Sequence, residues 1–66
     1  MITPEIANKT WKHGEMDCLY GLGIKENPFP RIETKEKFGS LHNIWEYGWL
    51  IMNLRKIFRK DELTWT

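Results

Sequence analysis

Leu41, Ile44, Trp45, Gly48, Ile51, Met52, Arg55 and Phe58 recur at steps of three and four residues. That spacing puts side chains on one face of an α-helix, whereas a strand would alternate every second residue. Leu50, Leu54 and Ile57 flank the same stripe and widen it beyond what one short partner helix could cover. A homodimer or a docked partner would account for the surplus. Either Thr34 or Ser40 offers a capping oxygen, so this helix is expected over about 35–60. The tail Leu63–Thr66 is expected to be loosely ordered unless Trp65 folds back.

The first half of the chain is less regular. Thr3-Pro4-Glu5 reads as a helix start: Thr can cap free N–H groups, Pro is tolerated at the first helical position, and an early Glu complements the dipole. A helix over about 4–22 follows; Gly14 in its middle costs about 1 kcal/mol relative to Ala, so a break or a late start is expected, with Trp11 to Leu22 the stronger part. Gly21-Leu22-Gly23 supplies the stop, and Asn27-Pro28-Phe29-Pro30 cannot be helical. Phe29, stiffened by a proline on each side, is the expected plug between loop and helices. Gly14, Cys18 and Gly21 form a small-residue stripe that permits close helix approach, with Gly48 its counterpart between Trp45 and Met52. The expected fold is all-α: two helices, about 4–22 and 35–60, joined by a proline-containing loop in a single domain over 1–66.

A chain of 66 residues can bury only a small core. Its four Trp, two Tyr and three Phe matter for that reason, since aromatic rings bury the most area per ordered residue. Cys18 is the only cysteine, which excludes an intramolecular disulfide and a cysteine-based zinc site and suits a reducing compartment. Its neighbours Glu15 and Asp17 supply no cation to activate the thiol, so packing is the expected role. His13 and His42 are too few to define a metal site. No spacing suggests a nucleophile with its base, and no glycine-rich phosphate loop is present, so neither an enzyme nor a cofactor is expected. The N-terminus lacks the pattern of a secretory signal, and the longest apolar run, Trp49 to Met52, is far too short to span a bilayer. Lys60-Asp61-Glu62-Leu63 resembles a retention signal, but three residues follow it. A cytoplasmic location without membrane attachment is expected.

Ten basic and nine acidic residues leave a net charge of +1, which argues against gripping nucleic acid by bulk charge. The distribution is uneven. Residues 1–24 hold Lys9 and Lys12 against Glu5, Glu15 and Asp17, whereas Arg55, Lys56, Arg59 and Lys60 crowd into six positions. These four would complement the negative end of the second helix. They would equally suit phosphates, with Trp11, Lys12 and His13 as a second basic-aromatic element for unpaired bases.

Gly14-x-x-x-Cys18-x-x-Gly21, then Asn27-Pro28-Phe29, then Trp45-Glu46-Tyr47-Gly48-Trp49 stand in a recognisable order. Over residues 11–54 the chain resembles the ribosome modulation factor family, which includes short proteins of bacterial plasmids and phages. The resemblance implies a two-helix protein that binds the small ribosomal subunit near the 3′ end of its RNA, blocks initiation and promotes inactive ribosome dimers. On that reading the chain regulates translation, with Lys12, His13, Lys25, Arg55, Lys56, Arg59 and Lys60 as candidate phosphate contacts. The alternative is a small phage- or plasmid-type interaction protein that binds and inhibits a host protein through Trp49, Leu50, Leu54 and Phe58.

Overall fold

The computed structural model describes residues 2–64, with side chains of the second helix described as far as Phe58. Two α-helices, α1 (Pro4–Leu19) and α2 (Leu41–Thr64), flank a single 3₁₀ turn at Ile24–Glu26. The described residues hold no strand, and the architecture is the expected all-α pair.

Local chemistry sets three of the four helix ends. Thr3 caps α1, its Oγ1 accepting from the Ile6 N–H at 3.2 Å. The helix runs unbroken through Gly14 and stops at Leu19, three residues short of the expected Leu22. There the Gly21 N–H donates to the Cys18 carbonyl at 3.1 Å and the Leu22 N–H to Asp17 at 3.0 Å. This reverse turn needs a left-handed residue, and Gly21 supplies it at φ +90°.

The second helix begins at Leu41, six residues later than the expected 35. Ser40 is the cap, its Oγ accepting from the Asn43 N–H at 3.2 Å. The hydroxyl of Thr34 instead closes a local turn by accepting from the Glu36 N–H at 3.3 Å, so the competing cap belongs to the loop. At its far end α2 continues to Thr64, past the expected Lys60; Leu63 and Thr64 are helical, and Trp65 and Thr66 lie outside the described residues.

The helices meet backbone to backbone. A Cβ added to Gly14 would overlap the Trp45 carbonyl and lie 3.0 Å from the Trp49 nitrogen. One added to Gly48 would overlap the Trp11 carbonyl. The two glycines thus act reciprocally. On α1 the buried column is Thr10, Gly14 and Cys18. Gly21, expected to extend the small stripe, is exposed with open space around its α-carbon, and serves the turn instead. Thr10, which sequence reasoning missed, turns its hydroxyl back onto the Ile6 carbonyl at 2.8 Å and so needs no other partner.

Facing this column, α2 buries Ile44, Trp45 and Gly48. Trp45 is 0% exposed, and its indole Nε1 donates to Asp17 Oδ2 at 2.9 Å. The loop is pinned across both helices: Asn27 Nδ2 donates to the His42 carbonyl at 2.9 Å, while Asn27 Oδ1 accepts from the Phe29 N–H at 3.0 Å. Phe29 is half-buried, its ring edge-on to His13 at 5.9 Å and its carbonyl accepting from His42 Nδ1 at 3.0 Å. It therefore ties the loop to α1 through its ring and to α2 through its backbone.

Burial fades along α2. The predicted apolar face is covered at Ile44, Trp45 and Gly48, half-covered at Ile51 and Met52, and uncovered at Arg55 and Phe58. At 1.5 Å per residue, α2 is about 36 Å long and α1 about 24 Å, so the C-terminal part of α2 outruns its partner. The long dimension of the molecule, 46 Å against 22 and 20 Å, reflects that projection.

Candidate RNA- or partner-binding surface

The expected site residues fall into separate groups. Lys12 and His13 lie on exposed positions of α1, and Lys25 is exposed in the 3₁₀ turn. His13 Nε2 stands 3.0 Å from Asp17 Oδ2, the oxygen that also accepts from Trp45. His13 is therefore tied to the core hydrogen bond as well as facing solvent.

Trp49 has a similar double character. It is half-buried and its Nε1 donates to the Leu22 carbonyl at 2.7 Å, fastening α2 to the turn that ends α1. Its indole N–H is engaged within the fold, so what Trp49 offers a partner is ring surface.

Arg55 and Lys56 begin the projecting segment. A terminal guanidinium nitrogen of Arg55 lies 3.3 Å from Glu15 Oε2, and the Arg55 side chain remains 66% exposed. Lys56 Nζ donates at 3.2 Å to the Cys18 carbonyl. That carbonyl already accepts from Gly21, so the ammonium completes the cap at the negative end of α1. The cations expected to complement the end of α2 do not lie there, because α2 runs on to Thr64 and has no basic residue in its last turn; Lys56 serves the end of α1 instead.

Neither contact exhausts its donor. Guanidinium carries five N–H groups and ammonium three, and an exposed ion pair of this kind contributes at most about 1 kcal/mol. Both side chains can still meet an anion. Phe58 follows within one turn and is 64% exposed. Leu50, Leu54 and Ile57 are also exposed and lie at steps of four and three along α2. Arg59 and Lys60 lie outside the residues whose side chains are described.

Cys18 is buried in the helix crossing. Among the described residues, no three His, Cys, Asp or Glu side chains converge where they could hold a metal ion. No described helix is long and apolar enough to cross a membrane.

These features define a class: a small all-α helix–loop–helix protein, joined at paired glycines, with one helix projecting a basic and apolar end. No protein-family model, curated protein or solved structure matches the chain.

Proposed function

We propose that the chain is a non-enzymatic, ribosome-modulation-factor-like regulator of translation, acting in the cytoplasm by binding RNA of the small ribosomal subunit. The observation that carries this reading is the exposure of Arg55, Lys56 and Phe58 together on the projecting end of α2. Cations that meet phosphates beside an aromatic ring that stacks on a base form the usual grip on single-stranded RNA. The sequence motifs behind the family resemblance support the scaffold half of the reading. Gly14 and Gly48 make the crossing, Asn27 and Phe29 pin the loop, and Trp45 fills the core.

With a net charge of only +1, affinity has to come from this local cluster. If Arg55, Lys56, Arg59 and Lys60 each neutralise one phosphate, log affinity falls with log salt at a slope near about −3, from roughly 0.7 per contact. Titrating the protein into small-subunit RNA at a series of salt concentrations measures that slope. An affinity insensitive to salt would sink the proposal.

The exposed stripe Leu50, Leu54 and Ile57 favours a second reading, a phage- or plasmid-type inhibitor docked on a host protein. Capture from nuclease-treated lysate separates the two. One host protein recovered without ribosomal proteins supports the inhibitor; loss of every partner after nuclease supports the RNA reading. A second copy of the chain could cover the same stripe, which sedimentation equilibrium of the purified protein would reveal as a dimer.

A further inference from the structure

The side of α2 turned away from α1 carries a second periodic pattern. Asn43, Tyr47, Leu50, Leu54, Ile57 and Asp61 follow one another at alternating steps of four and three, the spacing of a two-stranded coiled-coil seam. At 3.6 residues per turn this seam lies roughly 150° around α2 from Ile44, Trp45 and Gly48, so α1 does not cover it. Leu50, Leu54 and Ile57 are between 38% and 51% exposed. Tyr47 is half-buried, with the Phe38 ring against it at 5.1 Å.

Lys56 is the last of the described side chains along α2 to hydrogen-bond α1. From there the helix runs on to Thr64, about 12 Å further. A helical segment that short is barely stable in water without something to pack on.

The two flanks of the seam differ, and the difference selects the occupant. One flank carries Glu46, Asn53 and Lys60, the other Ile51 and Phe58. Two parallel copies would set the polar flank of each against the apolar flank of the other. Two antiparallel copies set polar against polar and apolar against apolar, because a two-fold axis brings each flank onto its own counterpart. The face is thus complementary to itself.

Charge then fixes the register. With Leu50 of each copy level with Leu54 of the other, Tyr47 falls level with Ile57 and Asn43 with Asp61, so a polar pair closes each end of the apolar seam. The same register brings Glu46 level with Lys60 of the second copy, opposite in charge, and Asn53 beside its own counterpart at the axis. A slip of one heptad in one direction would set Asp61 against Leu50 and bury a carboxylate without a partner. A slip in the other direction would set Asn43 against Leu54 and leave Ile57 uncovered.

We infer that two copies of the chain associate through this seam as an antiparallel α2–α2 dimer, the projecting end of each lying along the first half of the other's α2. The inference stands independently of the RNA reading, whose surface shares Phe58 and Lys60 with the seam. Arg55 and Lys56 lie outside it, on the side of α2 that meets α1.

Sedimentation equilibrium of the purified full chain over a range of concentrations should follow a monomer–dimer equilibrium. Leu54→Lys changes a side chain outside the monomer's core, so this variant should keep a cooperative melt and sediment as a monomer. Glu46→Lys should weaken the dimer about tenfold, since two ion pairs are lost per dimer, and adding Lys60→Glu should restore it. In a parallel dimer these two positions would stand about 21 Å apart along the axis, and the second change would restore nothing. A monomer at every concentration would overturn the inference and leave the stripe to a host protein. A dimer that persists in Leu54→Lys would overturn the seam. A dimer indifferent to Glu46→Lys, or one that Lys60→Glu fails to restore, would overturn the antiparallel register.

Discussion

Gly48→Ala puts the helix crossing to the test, because local and tertiary effects predict opposite signs. In an isolated helix, replacing Gly with Ala stabilises by about 1 kcal/mol. Here the new methyl would overlap the Trp11 carbonyl and lie 3.1 Å from its carbon. The obstacle is main chain, which cannot rotate away as a side chain can, so the helices must separate. Overpacking of this kind costs about 1–3 kcal/mol, and a backbone clash belongs at the upper end. Subtracting the propensity gain leaves a net loss of about 2 kcal/mol, or a melting temperature lower by about 8–16 °C for a domain of this size.

Gly14→Ala should behave alike, since its methyl meets the Trp45 carbonyl at the same junction. Once one methyl has pushed the helices apart, the second finds room, so the double variant should cost clearly less than the sum. Gly23→Ala is the control: its methyl would have only Glu26 Oε2 nearby, at 3.7 Å, and it should be neutral or stabilise by up to about 1 kcal/mol. Thermal melts followed by circular dichroism give all four values. A Gly48→Ala protein more stable than the parent would refute the close crossing.

Trp45→Phe removes the donor to Asp17 and should cost about 1–3 kcal/mol in the same melts. Asn27→Ala loses both the bond to His42 and the bond from Phe29, and should destabilise by about 1–2 kcal/mol; an unchanged melt would mean that the loop is not pinned there. Arg55→Gln breaks only an exposed pair with Glu15, so stability should change by less than about 0.5 kcal/mol. The same substitution should reduce the salt dependence of RNA binding by about one phosphate's share.

The features legible in the sequence are those set by neighbours along the chain. The Thr3-Pro4-Glu5 start lies within one turn, and the period of three and four from Leu41 survives any arrangement of the helices. The start of α2 was ambiguous because Thr34 and Ser40 are both competent caps. The close fit of Gly39 against Thr34 helps to make the intervening residues a turn. Gly21 was visible as a helix stop, but its assignment to the packing stripe followed spacing past the point where α1 ends.

The candidate site was harder to read. Clustering alone singled out Arg55 and Lys56, yet their partners Glu15 and Cys18 lie 40 and 38 positions away. No local pattern carries such a pairing. The same distance hid the Asp17 bond to Trp45, which makes an acidic residue of a slightly acidic helix part of the core. Phe38 lay in a loop segment with no periodicity, and its place between Trp11 and Tyr47 follows from the turn that presents it.

Sucrose-gradient sedimentation of a lysate containing the tagged full chain tests the central claim most directly. The account predicts that the protein travels with the small ribosomal subunit at low salt, leaves it as salt rises, and leaves it sooner when Arg55 and Lys56 are both replaced by Gln. Protein that stays at the top of the gradient at low salt, or that follows the subunit regardless of salt and of those two side chains, would contradict it.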